Sequence, residues 1–235
     1  ILSYLYFSEM NVDPKDPKKA DRDRLVLSKG HTAPALYAAL AARGYFDAEL
    51  LKTFRQADSI LQGHPDMKHI PGVDMTTGSL GLGFSAANGM ALSAKISGDS
   101  YRVYAILGDG ETEEGQIWEA AMFGAHYKLD NLVAFVDFNG LQIDGKITEV
   151  MNPTPLDEKF AAFGWNVITI DAHDFDQIEA ACKAARECTG KPTAVICKSI
   201  KGRGVSFMEN QVGWHGKAPS EEQYNLAVTE LTASV

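Results

Sequence analysis

Four short apolar runs, at residues 102–107, 132–137, 166–170 and 193–198, constrain this chain most. Stretches of helical pattern lie between them, including 115–127 and 175–187. Strands separated by helices pair in parallel through crossovers, and the crossovers cover the sheet. Residues 133–136 are apolar throughout, as a strand buried on both sides requires. The pattern predicts an α/β fold: a mainly parallel sheet with helices on both faces.

Two helical segments, 84–94 and 117–125, are small or apolar nearly all round. A helix without a polar face is buried, either in the core or against another protein chain. Loops carry much of the rest. Residues 61–83 are rich in Gly, Pro, Thr and His, and 199–219 hold Gly202, Gly204, Gly213 and Gly216. Loops at the carboxyl ends of parallel strands are where such folds bind ligands.

A net charge of −9 argues against nucleic acid, which needs clustered Lys and Arg. No apolar run reaches the roughly 18 residues of a membrane helix. Cys182, Cys188 and Cys197 form no C-x-x-C pair, and their odd number suits a reducing, cytoplasmic setting. Residues 1–7 are apolar without a basic start or a cleavage site, so they do not form a signal peptide. They begin as if inside a helix, and the expectation is one domain over 1–235, incomplete at its N-terminus.

The sharpest chemical signal is Leu107-Gly108-Asp109-Gly110, between a strand and a helix. Glycines there admit a ligand close to the backbone, and a helix start offers free N–H groups to an anion. The next strand ends in Phe138-Asn139-Gly140-Leu141. If the two strands are neighbours, a carboxylate and an amide oxygen stand together, a donor set suited to Mg²⁺. Asp109, Glu111, Glu113 and Glu114 would repel a diphosphate unless a divalent ion intervened.

Taken alone, Gly-Asp-Gly is often a turn. An EF-hand starting at Asp137 fails, because Gln142 and Thr148 stand where Gly and Glu are needed. No dinucleotide fingerprint is present at the first strand–helix turn. Asp144-Gly145 reads as a type I′ hairpin turn. Glu111 and Glu113 read as solvated first-turn acids, and Trp118 as core. Lys201-Gly202-Arg203-Gly204 is either an anion-binding loop or a flexible surface turn.

The spacing of Gly-Asp-Gly and Asn139, each closing a strand, resembles the thiamine-diphosphate motif. Four further segments are similar to the transketolase family: Arg22 to His31, then Gly63-His64-Pro65-Asp66, Thr76 to Gly83, and Trp214 to Pro219. The similarity runs in order along the chain and implies a thiamine-diphosphate-binding fold of the diphosphate (PP) type. By resemblance, Asp109, Asn139 and the Leu141 carbonyl hold Mg²⁺, with Ca²⁺ an alternative, and Gly110 meets the diphosphate. His31 and His215 match histidines that touch the diphosphate and the sugar, and His64 one that faces the reacting carbons. These three are the catalytic candidates. Gly78, Ser79 and Leu80 border the cofactor's rings, and Glu114 and Glu119 match acids at a dimer seam. His69, His126 and His173 are unassigned.

The resemblance implies transfer of a two-carbon ketol unit from a ketose phosphate to an aldose, as in the pentose phosphate pathway. It also implies a C-terminal partner subunit carrying the pyrimidine-binding and C-terminal domains, in an α2β2 assembly built on two copies of this chain. Departures are a single Asn at 139, Ser79 where some members have Pro, and no early histidine ahead of the first helix. The rival readings are a deoxyxylulose-phosphate synthase or dehydrogenase component, and a non-catalytic scaffold or regulatory module. Ser28-Lys29-Gly30-His31 with Gly63-His64-Pro65 favours the transketolase over the first. Joint retention of Asp109, Asn139 and the three histidines argues against the second.

Overall fold

The computed structural model describes residues 1–233. Its strands are β1 (Arg24–Leu27), β2 (Val103–Gly108), β3 (Leu132–Phe138), β4 (Leu141–Gln142), β5 (Gly145–Lys146), β6 (Asn166–Asp171) and β7 (Thr193–Lys198). The helices are α1 (Leu2–Tyr4, continued by a wider turn Leu5–Glu9), α2 (Ala33–Arg43), α3 (Leu82–Ser97), α4 (Gly115–His126), α5 (Ile147–Val150), α6 (Leu156–Ala162), α7 (Phe175–Glu187) and α8 (Glu221–Ala233).

Five strands pair in parallel in the order β1-β2-β3-β7-β6. Their side chains alternate between two cores. Leu25, Leu27, Tyr104, Ile106, Val133, Phe135, Val195 and Cys197 face α1, α2 and α7. Val26, Val103, Ala105, Leu107, Ala134, Val136, Ala194 and Ile196 face α3, α4 and α6. The expected sheet with helices on both faces is thus present. This sheet has one strand more than the four apolar runs indicated: β1 has only four residues, too few to stand out as a run.

Helix α7 follows from its sequence. The Asp174 carboxylate accepts the N–H groups of Asp176 and Gln177, capping the first turn. Ile178, Ala181, Cys182 and Ala185 then recur at helical spacing and are buried. Helices α3 and α4 pack tightly, with Gly124 so close to the Asn88 side chain that a Cβ would lie 2.7 Å from its Oδ1. Each buries one side and exposes apolar groups on the other, Leu82, Ile96 and Met122 among them. One side of each helix is thus core, and the apolar groups on the other side are not covered within this chain.

The hairpin near 144 forms, but its turn is Ile143-Asp144, because Gln142 pairs with Gly145. Asp144 does not adopt positive φ, and Gly145, at φ 149°, belongs to the returning strand. The type I′ assignment is overturned, because neither Ile143 nor Asp144 has the positive φ that this turn type requires. No helix among the described residues is long and apolar enough to cross a membrane. Cys182 and Cys197 are buried free thiols, and Cys188 is half-buried.

Phe135 sits at the centre of the sheet with no solvent exposure. Phe135→Ala should cost about 3–5 kcal/mol of stability, read as a lower urea midpoint at unchanged slope. An unchanged midpoint would contradict its place in the core.

Candidate cofactor site

β1 leads into α2 on one face and β2 into α4 on the other, so the chain parts at the carboxyl ends of the strands. A crevice at such a reversal is where open α/β sheets bind ligands. Here it is a cavity of about 780 Å³, walled by His31, Leu80, Asp109, Gly110, Asn139, Leu141 and His215. Residues separated by more than one hundred positions meet there.

β2 and β3 are neighbours, as the motif spacing required, with Gly108 opposite Asp137. Asp109 is buried, and its carboxylate accepts the N–H of Gly110 at 2.8 Å and of Gly140 at 2.6 Å. The Asn139 side-chain oxygen accepts the Leu141 N–H at 3.0 Å. Burial pushes the Asp109 carboxyl up to about 6, against the lowering effect of the two N–H donors. One buried carboxylate, an amide oxygen and a nearby carbonyl form a hard-oxygen set that fits Mg²⁺ or Ca²⁺. A cation would draw that carboxyl back into its charged form.

The His31 and His215 rings stack with centroids 5.1 Å apart. Burial lowers His31 to about 4, with His215, Lys29, Lys201 and His64 adding to the effect. Burial also lowers His215, helped by Lys201, whose Nζ lies 3.3 Å from His215 Nδ1. Both rings are thus held neutral in a cationic surround. His64 lies outside the cavity wall, on an exposed loop tied down by the Tyr37 hydroxyl, which donates to the carbonyls of Gln62 and His64. Its ring packs on Gly78, where a Cβ would lie 3.2 Å from His64 Cδ2. Gly78 and Ser79 likewise stand beside the cavity rather than in its wall. Gly30 approaches the same loop so closely that a Cβ would meet Thr77 Oγ1 at 2.6 Å.

Several wall residues escaped the reading by motif. Lys29 pairs with Asp137, whose other oxygen accepts the Ser199 hydroxyl. Burial raises the Asp137 carboxyl, but Lys29, Ser199 and Asn139 outweigh it and leave it lowered. An ionisable residue closing an apolar strand was the available signal. Lys201 is half-buried in the wall while Arg203 is exposed. His173 is also in the wall, and its Nε2 accepts the Ile200 N–H at 2.9 Å.

Two expectations are corrected. Glu111 is not solvated: it is buried and accepts bonds from Ser28, Gly81 and Gly108. Glu113 is half-buried and accepts from Gln142. Glu111 stays in the cavity wall with its carboxylate engaged, Lys29 is balanced by Asp137, and Lys201 adds positive charge that the local acidic pattern did not reveal. Trp118 is partly buried against Phe160 and Phe163.

The family model described as transketolase, thiamine diphosphate binding domain, matches residues 1–232. One chain of a 6-deoxy-6-sulfo-D-fructose transketolase from a Clostridium species (strain MSTE9), itself named as a subunit, is 50% identical, over 98% of this chain and 84% of its own length. The corresponding subunit of the apulose-4-phosphate transketolase from Phocaeicola vulgatus is 43% identical, over 100% of this chain and 83% of its own. The solved Campylobacter jejuni transketolase superposes with a TM-score of 0.92 at 32% identity, covering 98% of this chain. This chain spans only 37% of that larger one.

The His31 ring should stay neutral well below the ordinary 6.5, titrating near pH 4 in an NMR series on the folded chain. Its folded value is the lower one, so the unfolded state takes up the proton first. His31 therefore removes stability as the pH falls from 6.5 towards 4, and has no such effect above 6.5. A midpoint near 6.5 in the folded protein would contradict the buried, cation-flanked placement.

Proposed function

The chain belongs to the transketolase family, and on that premise we propose that it is the N-terminal, diphosphate-binding subunit of a split transketolase. The observation that carries this is the near end-to-end match to proteins named as transketolase subunits, 84% and 83% of whose lengths it covers. In this reading the chain forms a single thiamine-diphosphate domain and acts in the cytoplasm, where its cysteines remain thiols. The pyrimidine-binding and C-terminal domains come from a second polypeptide.

Asp109, the Asn139 side chain and the Leu141 carbonyl would hold Mg²⁺, with the Gly110 N–H on the diphosphate. The neutral rings of His31 and His215 donate to diphosphate or sugar oxygens, and Lys201 offsets part of the added negative charge. Gly78, Ser79 and Leu80 border the rings of the cofactor. Bound thiamine diphosphate supplies the carbanion-stabilising chemistry by which a two-carbon ketol unit moves between sugars. What this chain adds is placement, exclusion of water and proton transfer at the sugar hydroxyls. His64 and His215 suit the last task, because an imidazole ring carries both a proton-donating and a proton-accepting nitrogen.

Both relatives are named for ketoses with an anionic group, one sulfonate and one phosphate. The proposed donor class is accordingly a ketose with a terminal anion, and the acceptor an aldose. The exposed apolar sides of α3 and α4, flanked by exposed Glu114 and Glu119, suit contact with a second copy. Two copies with two partners would make the α2β2 assembly.

Calorimetric titration should find thiamine diphosphate binding that needs Mg²⁺, tightens when the partner chain is present and disappears in Asp109→Ala. The chain alone should show no turnover. Robust turnover without a partner would refute the split reading. In the complete complex, His64→Ala should retain cofactor binding and lose about 10²–10⁴-fold in kcat, the range for a proton-transfer group. A full rate would remove His64 from the mechanism.

A further inference from the structure

Three loops converge on the site: the turn after β1 holding Ser28 and His31, the segment 77–82 leading into α3, and the turn after β2 holding Gly108 to Glu111. They touch closely. A Cβ on Gly83 would lie 2.8 Å from Ser28 Cα, so the α3 start and the β1 turn are nearly in backbone contact. At their meeting point stands the Glu111 carboxylate, on a residue only 3% exposed.

The two carboxylate oxygens of Glu111 between them engage all three loops. Oε1 accepts the Ser28 hydroxyl at 2.5 Å and the Gly81 N–H at 2.9 Å, and Oε2 accepts the Gly108 N–H at 3.0 Å. All three partners donate, so the position requires a group that only accepts, which an ionised carboxylate is. A glutamine would aim an NH₂ group at one of the donors. It would leave that donor unsatisfied in a buried place.

We propose that Glu111 is a positioning residue that fixes the ring-bordering loop 78–82 against the diphosphate-facing turn 108–110 and the His31 turn. The two ends of one thiamine diphosphate molecule are thereby received at a matched spacing. The inference rests on the reading of the site given above. Glu111 acts through the backbone at Gly81 and Gly108 rather than on the cofactor, since its oxygens are already engaged. Its effect should therefore fall on ligands that span both loops and spare those that occupy one.

The test uses the complex with its partner chain and Mg²⁺, titrated calorimetrically with thiamine diphosphate and, separately, with inorganic pyrophosphate. In Glu111→Gln, pyrophosphate affinity should stay within about twofold of wild type, while thiamine diphosphate should weaken about tenfold or more, the scale of one buried donor left unpaired. Equal weakening of both ligands, the mark of a general structural loss, would overturn the proposal, as would no weakening of either. If the variant complex does not assemble, amide hydrogen exchange on the folded chain decides. Gly81 and Gly108 should exchange faster in the variant, with the amides of β3 unchanged, and unaltered exchange at both glycines would overturn the role. Wild-type complex that binds neither ligand would overturn the cofactor reading and this one with it. Wild-type binding with an unchanged ratio in the variant would remove only the role of Glu111.

Discussion

Burial of both faces of one parallel sheet is the constraint on which the rest of this molecule depends. Tyr104, Val133, Phe135 and Val195 enter one core while Val103, Ala105, Ala134 and Ala194 enter the other, so neither face can be solvated. Parallel pairing puts the carboxyl ends of β1, β2, β3 and β7 at one edge. Ser28, Asp109, Asn139 and Ser199 follow those ends directly. Departure of the chain to opposite faces after β1 and β2 then leaves the crevice.

Charge placed in that crevice is only partly hydrated, which sets its chemistry. The Lys29–Asp137 pair is mostly buried, its side chains 12% and 22% exposed, and lies between the diphosphate turn and the Ser199 loop. Removing one member of a buried pair costs about 3–5 kcal/mol, because the other is left without a partner. The same desolvation keeps His31 and His215 neutral and drives Asp109 towards protonation when no cation is present. A cation and an anionic ligand entering together would relieve both imbalances, placing the metal beside Asp109 and the anion towards the lysines and histidines.

Much of this was legible in the residues, through two kinds of signal. Period and composition located β2, β3, β6 and β7, and gave both ends of α7, because long apolar or amphipathic segments carry their own pattern. Motif spacing singled out the Gly-Asp-Gly turn and Asn139, and the family resemblance added Leu141 and the loop histidines. What failed was local in scale. Four-residue β1 has too little pattern of its own, and Glu111 has the sequence neighbourhood of a solvated acid. Two of its three donors come from positions 28 and 81, and nothing within a short window announces them. The hairpin turn fell one residue from its expected place, since pairing of Gln142 with Gly145 decided it rather than the Asp-Gly dipeptide.

The sequence by itself determined the layered α/β architecture, the strand ends that carry the diphosphate motif, and the kinship to which those motifs belong. The first two rest on periodicity or on spacing within one segment, and the third on short motifs that follow one another along the chain; all of that is readable without contacts. Tertiary structure alone decided which distant residues share the cavity: Lys29 with Asp137 and Ser199, His31 with His215, and Glu111 with three loops at once. It also decided their charge states, because desolvation depends on what surrounds a group in space, and neighbours along the chain do not report it.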